Sequence, residues 1–164
     1  RYTLEVRGRV VRGERVVVAA EARNDLGKFA DRNLFGRLEH QMLEEVGDAV
    51  RDARKNAELN GIQNVKFREG RAERILSASI RDYGRPDTVI LDPPRGGAEE
   101  PALRAITHAK PRSIVYVSCN PSTLARDLIV LGQDGYRSLW VQPVDMFPQT
   151  PHVECVTLMS RVKE

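Results

Sequence analysis

Cysteine is scarce in this chain. Cys119 and Cys155 are the only two in 164 residues, there is no CxxC pair, and the three histidines form no cluster with them. Neither a disulfide framework nor a zinc or iron-sulfur site is therefore encoded, so no metal is expected and a reducing compartment is. Long apolar runs are also missing: none approaches the roughly 20 residues a helix needs to span a bilayer, and no charged-then-apolar leader opens the chain at Arg1. A cytoplasmic protein with no membrane partner is the expectation. Internal repeats, low-complexity tracts and blocks of like charge long enough to suggest a disordered tail are lacking as well.

What remains has the size and 41% hydrophobic content of one compact domain able to bury a core without staples. Lys and Arg number 26 against 23 Asp and Glu, for a net charge of +3 and a pI near 9.1. That excess permits binding to a polyanion such as RNA without requiring it.

Along the chain, alternating residues around Arg12-Gly13-Glu14 predict a hairpin from Leu4 to Val10 and Arg15 to Ala20. From Asp25 to Gly36 the signal fades. Ala49, Val50, Ala53 and Ala57 then share one face of a helix over Asp48 to Leu59, stopped by Asn60-Gly61. A strand at Val65 to Phe67 and a helical turn at Ala72 to Ser79 follow. The strand Thr88 to Leu91 ends in two prolines, a helix covers Glu99 to His108, and the nearly continuous apolar run Ser113 to Ser118 reads as a central strand. A helix from Ser122 to Leu131 and strands at Leu139 to Val144 and Val153 to Met159 complete the pattern. Such alternation predicts an open, mostly parallel α/β sheet, in which ligands sit at the carboxyl ends of the strands. The division expected is an N-terminal hairpin and poorly defined segment over 1–36 and an α/β domain over 37–164, which its motifs mark as the catalytic domain.

Three stretches carry chemistry. In Asp92-Pro93-Pro94-Arg95 the prolines stiffen a loop that projects a carboxylate and a guanidinium from fixed positions, although alone the motif reads equally as a Pro-rich turn with a surface ion pair. In Val117-Ser118-Cys119-Asn120-Pro121 the thiol falls where a buried strand leaves the core and a helix begins. A helix N-terminus favours negative charge, which predicts a lowered thiol pKa, while the alternative is a small core cysteine. In Asp145-Met146-Phe147-Pro148 through His152-Val153-Glu154, regular alternation places Glu154 among apolar groups, where desolvation raises a carboxyl pKa towards a general base's range. An edge-strand Glu in water and a hydrogen-bonding structural His152 are the alternatives.

Together with Asn56-Ala57-Glu58-Leu59-Asn60-Gly61 and Thr123-Leu124-Ala125-Arg126-Asp127, these stretches resemble the RNA 5-methyluridine methyltransferases over about Asp48 to Arg161. The resemblance implies a Rossmann-like class I methyltransferase sheet, mostly parallel with an antiparallel last strand and helices on both faces. It implies S-adenosylmethionine as cofactor and transfer or ribosomal RNA as partner. It also implies Cys119 as nucleophile and Glu154 as general base. Asp92 becomes a cleft carboxylate contacting target base or methyl donor, Glu44 the acid on the cofactor ribose, and Arg95, Asn120 and His152 substrate contacts. RNA cytosine-5 methyltransferases place a Cys after the first Pro-rich motif where Arg95 stands, and amino-directed enzymes carry an aromatic residue there and need no thiol, so uracil is the better match.

Two departures from that pattern stand out. No Asp-x-x-x-Gly-x-Gly loop precedes the Asn56 helix, which leaves the N-terminal side incomplete; the only family-like fragments between Asp25 and Gly47 are Phe35-Gly36 and Glu44-Glu45-Val46-Gly47. Arg71 stands where many relatives have Asp or Asn near the adenine. The second reading is thus a degenerate, non-catalytic remnant of the fold that binds RNA or a partner.

Overall fold

A computed structural model describes residues 15–20 and 39–162. Seven strands form one sheet: β1 (Arg15–Ala20), β2 (Glu39–Glu44), β3 (Val65–Glu69), β4 (Thr88–Asp92), β5 (Ser113–Ser118), β6 (Tyr136–Val144) and β7 (Glu154–Arg161). Their order is β3-β2-β1-β4-β5-β7-β6. The first five run parallel, and β7 pairs antiparallel with both β5 and β6. Helices α1 (Gly47–Leu59), α2 (Ala72–Tyr83), α3 (Glu100–Ala109) and α4 (Pro121–Gln133) connect them.

Strand alternation divides the core between the two faces of the sheet. Met42, Val65, Phe67 and Ile90 pack with Ala49 and Ala53 of α1 on one side. On the other, Leu43, Val89, Leu91, Ile114 and Tyr116 pack with Leu76 of α2, Leu103 and Ile106 of α3, and Leu124 and Leu131 of α4. The expected helices on both faces and antiparallel last strand are both present. Leu103 is 1% exposed in the larger of these clusters. Leu103→Ala should destabilise the fold by about 2–5 kcal/mol, read as a lower urea midpoint with an unchanged slope.

Two expectations change. Arg15–Ala20 is a strand, but its described partners are β2 and β4, both parallel. Its near-continuous apolar run suits a strand paired along both edges better than a hairpin arm. The other arm, Leu4 to Val10, lies outside the described residues, as does most of the Asp25 to Gly47 stretch. Because β1 sits between β2 and β4, the sheet crosses the division expected between 36 and 37.

Strand β2 has no counterpart in the sequence reading. Its residues, Glu-His-Gln-Met-Leu-Glu, show neither an apolar run nor clean alternation. Gln41 and Glu44 are nevertheless buried beside Met42 and Leu43. The available signal was architectural: a helix beginning near Gly47 in a parallel α/β sheet must be fed by a strand.

Strand order reverses between β1 and β4, so the crevice that ligands favour in such sheets opens at the carboxyl ends of these two strands. Among the described residues no helix is long and apolar enough to cross a membrane.

Candidate active site

Glu44 closes β2 and Asp92 closes β4. The register aligns Ala19 with Leu43 and Ala20 with Asp92, so the two carboxylates flank the end of β1. Glu44 is buried, and its Oε1 accepts the Val46 N–H at 2.8 Å. Beyond β4, Pro93 is buried and the chain turns through Pro94 to Gly97, where the Gly97 N–H donates to the Pro94 carbonyl at 2.8 Å.

The start of α4 holds this turn. Asn120 caps the helix by accepting the Ser122 N–H at 3.1 Å, and Pro121 fills the first helical position, where its missing N–H costs nothing. From the same turn, Asn120 Nδ2 and Thr123 Oγ1 each donate to the Arg95 carbonyl at 3.3 Å. The backbone of Arg95 is thereby fixed. Its side chain reaches the β6–β7 loop, with Nη2 3.2 Å from His152 Nδ1. A guanidinium can only donate, so in this contact Nδ1 is the accepting atom.

Glycine at 97 is a requirement of this packing. It has φ +82°, and a Cβ there would lie 2.7 Å from Asp127 Oδ2 and closer still to the Arg126 guanidinium. Gly97→Ala should therefore cost on the order of 1–3 kcal/mol from backbone strain, before any clash is added, and show as a lowered denaturation midpoint.

Cys119 follows β5 directly. Strand β5 pairs with β7 so that Ser118 faces Cys155, which brings Cys119, just after β5, and Glu154, the first residue of β7, to the same end of the pair. Both residues are half-buried. Burial pushes the Glu154 carboxyl up, as the apolar setting of its strand predicts. The thiol departs from expectation. Its pKa is raised, first by burial and then by the Glu154 carboxylate, with Asp92 adding to the effect. A backbone hydrogen bond at Cys119 itself and the Arg95 charge act the other way without prevailing. The helix-terminus argument failed because two carboxylates and partial desolvation outweigh one partial positive charge.

Asp92, Arg95, Cys119, Asn120, His152 and Glu154 thus cluster where the β4–α3 loop, the β5–α4 junction and the entry to β7 meet. Glu44 stands across the end of β1 from Asp92. Arg71 bridges three glutamates, with Nη2 2.9 Å from Glu99 and Nε 3.2 Å from Glu45 and 3.3 Å from Glu73. Its bond to Glu99 is the largest of the effects that raise its own pKa. Asp127, part of the Thr123 to Asp127 stretch but given no role of its own by the sequence pattern, has a buried carboxylate that accepts the Ala98 N–H at 2.8 Å.

A family model for tRNA (uracil-5-)-methyltransferases matches residues 41–162. An uncharacterized RNA methyltransferase of Caldanaerobacter subterraneus is 53% identical over 120 residues, which are 73% of this chain and 26% of that protein. One from Bacillus cereus is 51% identical over 122 residues, covering 74% and 26%. The chain therefore spans about a quarter of the length of the relatives it matches. Among solved structures, the Pyrococcus abyssi tRNA (uracil-54, C5)-methyltransferase in complex with S-adenosyl-L-homocysteine superposes with a TM-score of 0.74 at 33% identity, covering 91% of this chain and 35% of that one. The precorrin-6y C5,15-methyltransferase of Geobacter metallireducens, at 17% identity and a TM-score of 0.69 over 93% and 82%, shares the fold. With its motifs clustered at the sheet's carboxyl edge and a family model matched over residues 41–162, the chain belongs to the tRNA (uracil-5-)-methyltransferase family.

Proposed function

We propose that this chain carries the catalytic part of an S-adenosylmethionine-dependent enzyme that methylates carbon 5 of a uridine in transfer or ribosomal RNA. The observation that carries this reading is that the β5–β7 pairing brings Cys119 and Glu154 to one end of the two strands, with Glu154, Asp92 and Arg95 all acting on the same thiol. A nucleophile and a carboxylate base close enough to act on each other meet the two needs of uracil chemistry at carbon 5.

Carbon 5 of uracil is a poor nucleophile. A thiolate at Cys119 adding to carbon 6 pushes electron density through the ring and makes carbon 5 an enolate carbon. S-adenosylmethionine, when bound, supplies the electrophilic methyl that this carbon accepts. The adduct then holds a proton on carbon 5, which Glu154 removes; the electron pair released re-forms the ring double bond as the Cys119 thiolate leaves. Arg95 and His152 at the rim, with Asn120 beside them, orient the base. A uridine within folded RNA must be flipped out to reach the thiol, its lost stacking offset by pocket contacts.

The residues present suit the cofactor in kind. Glu44 would hold the ribose hydroxyls from the end of β2, and Asp92 would face the methyl donor or the target base from the end of β4. These positions flank the end of β1, where such sheets bind their ligands.

The test incubates the protein with methyl-tritiated S-adenosylmethionine and undermodified RNA, then digests the RNA to nucleosides. Label in 5-methyluridine is the expected result. Calorimetry with S-adenosylhomocysteine addresses the second reading, which the unmatched Gly-rich loop motivates. Clear binding speaks for catalysis, and no heat at millimolar ligand would favour the non-catalytic remnant.

A further inference from the structure

The structure assigns a positioning role to Asp127, a buried residue of α4: it fixes the Arg95-bearing loop onto the Cys119-bearing junction and so keeps Arg95 facing the thiol. The inference deepens the uridine reading and rests on it for the catalytic consequence.

The bonding of Asp127 supports this. Its Oδ2 accepts both the Ala98 N–H and the hydroxyl of Tyr116. Its Oδ1 faces Arg126, at 2.8 Å from Nε and 2.7 Å from Nη2. Arg126 in turn donates through Nη2 to the Gly96 carbonyl at 3.0 Å and the Ala98 carbonyl at 3.4 Å. With Asn120 and Thr123 on the Arg95 carbonyl, one face of α4 binds backbone groups at 95, 96 and 98. Tyr116 belongs to β5, three residues before Cys119, and is wholly buried. A single carboxylate therefore joins the strand that delivers the nucleophile to the loop that delivers Arg95.

Burying a charge is a poor way to gain net stability, because well-packed apolar residues of similar volume often do as well. What a carboxylate with four donors provides, and an apolar side chain does not, is a fixed direction for each element it binds. Gly97 shows how closely the loop is drawn in, since no side chain fits between it and Asp127. The charged groups facing the thiol are Arg95 and Asp92 from β4 and its loop, and Glu154 from β7. Of these, Arg95 sits on the turn that Asp127 and its neighbours hold.

The experiment follows the pH dependence of Cys119 alkylation by iodoacetamide in the full chain, with peptide mass spectrometry separating Cys119 from Cys155. It uses Arg95→Ala, Asp127→Asn and the double variant, each confirmed folded at the working temperature. Arg95→Ala alone should move the midpoint to higher pH, because a cation facing the thiol is gone. With Asp127→Asn already present, the same substitution should add much less, since Arg95 is no longer held there. Tyr116→Phe, which keeps the carboxylate, gives a milder background should Asp127→Asn not fold. It should weaken the Arg95 effect in the same sense. Asp134→Asn is the stability control: it breaks an ion pair with Arg104 and a 2.6 Å bond from Thr107 at the far end of α4, and should leave the Arg95 effect whole. Additive shifts for Arg95 and Asp127, or no shift with Arg95→Ala, would overturn the assignment and leave Asp127 a stabilising residue only. In methyl transfer, Asp127→Asn should lower kcat by up to about 100-fold with a smaller change in KM for RNA. The alkylation series needs neither RNA nor cofactor, so a wild type that transfers no methyl would sink the uridine reading and leave this result standing.

Discussion

Cys119→Ala should abolish methyl transfer, with a loss of roughly 10⁴-fold or more, while S-adenosylhomocysteine binding measured by calorimetry stays near the wild-type value. A nucleophile that forms the covalent adduct has no partial substitute: without addition at carbon 6, carbon 5 stays unreactive and correct positioning of the base gains little. Cys155 separates this outcome from a general need for a thiol. It is buried in the main core on the strand face opposite Glu154, so Cys155→Ala should remove some packing and keep transfer. Label persisting in Cys119→Ala would end the covalent mechanism.

In the proposed mechanism the same thiol should shape the pH profile. An acid whose proton must leave before attack is active only in its ionised fraction, and burial with Glu154 raises the Cys119 pKa above its ordinary 9.0. The rate with free enzyme should therefore still be climbing at pH 9. On the acid side, Glu154 must be ionised to serve as base. Its raised pKa places that loss of activity at higher pH than an unperturbed carboxylate would.

Much of the fold was legible because its strands are apolar and its stops are strong. Ser113 to Ser118 needed only its continuous apolar run, and Thr88 to Leu91 ended where two prolines forbid further regular structure. β2 escaped because a strand of Glu, His and Gln with two apolar residues has no periodic signature; its burial comes from the strands and helices around it. β1 was readable as a strand but not in its pairing, since alternation and apolarity say nothing of which neighbour lies alongside. At the site, the upward shift of Glu154 was readable from its apolar setting, and that of the Cys119 thiol was not. The sequence put Cys119 at a helix start, but only the β5–β7 pairing brings it to the end of the strands where Glu154 acts on it. Asp127 was visible as part of Thr-Leu-Ala-Arg-Asp, yet its role depends on a helix face meeting a loop some thirty residues earlier.

Glu154→Gln should yield a protein that attacks its RNA and cannot let it go. In the proposed sequence Cys119 adds and the methyl arrives before any base is needed, so removing the Glu154 carboxylate leaves both steps possible. The proton on carbon 5 then has no acceptor, and the ring cannot re-form its double bond to expel sulfur. The expected species is a methylated RNA joined to Cys119. It would appear as a shifted band on a denaturing gel, resistant to heat and urea and lost when Cys119→Ala is added. Turnover should fall by roughly 10²–10⁴-fold, the usual range for loss of a general base. Glutamine keeps the shape of the side chain, and the apolar surroundings that raise the Glu154 pKa favour a neutral group, so the fold should not suffer. Neutralising Glu154 also takes away the carboxylate that most raises the Cys119 pKa, which should make adduct formation easier at a given pH. In the proposed sequence the two carboxylate effects are thus opposed: Glu154 would restrain the thiol before attack and release it afterwards. Free methylated product at the wild-type rate from Glu154→Gln would remove that residue from the base role.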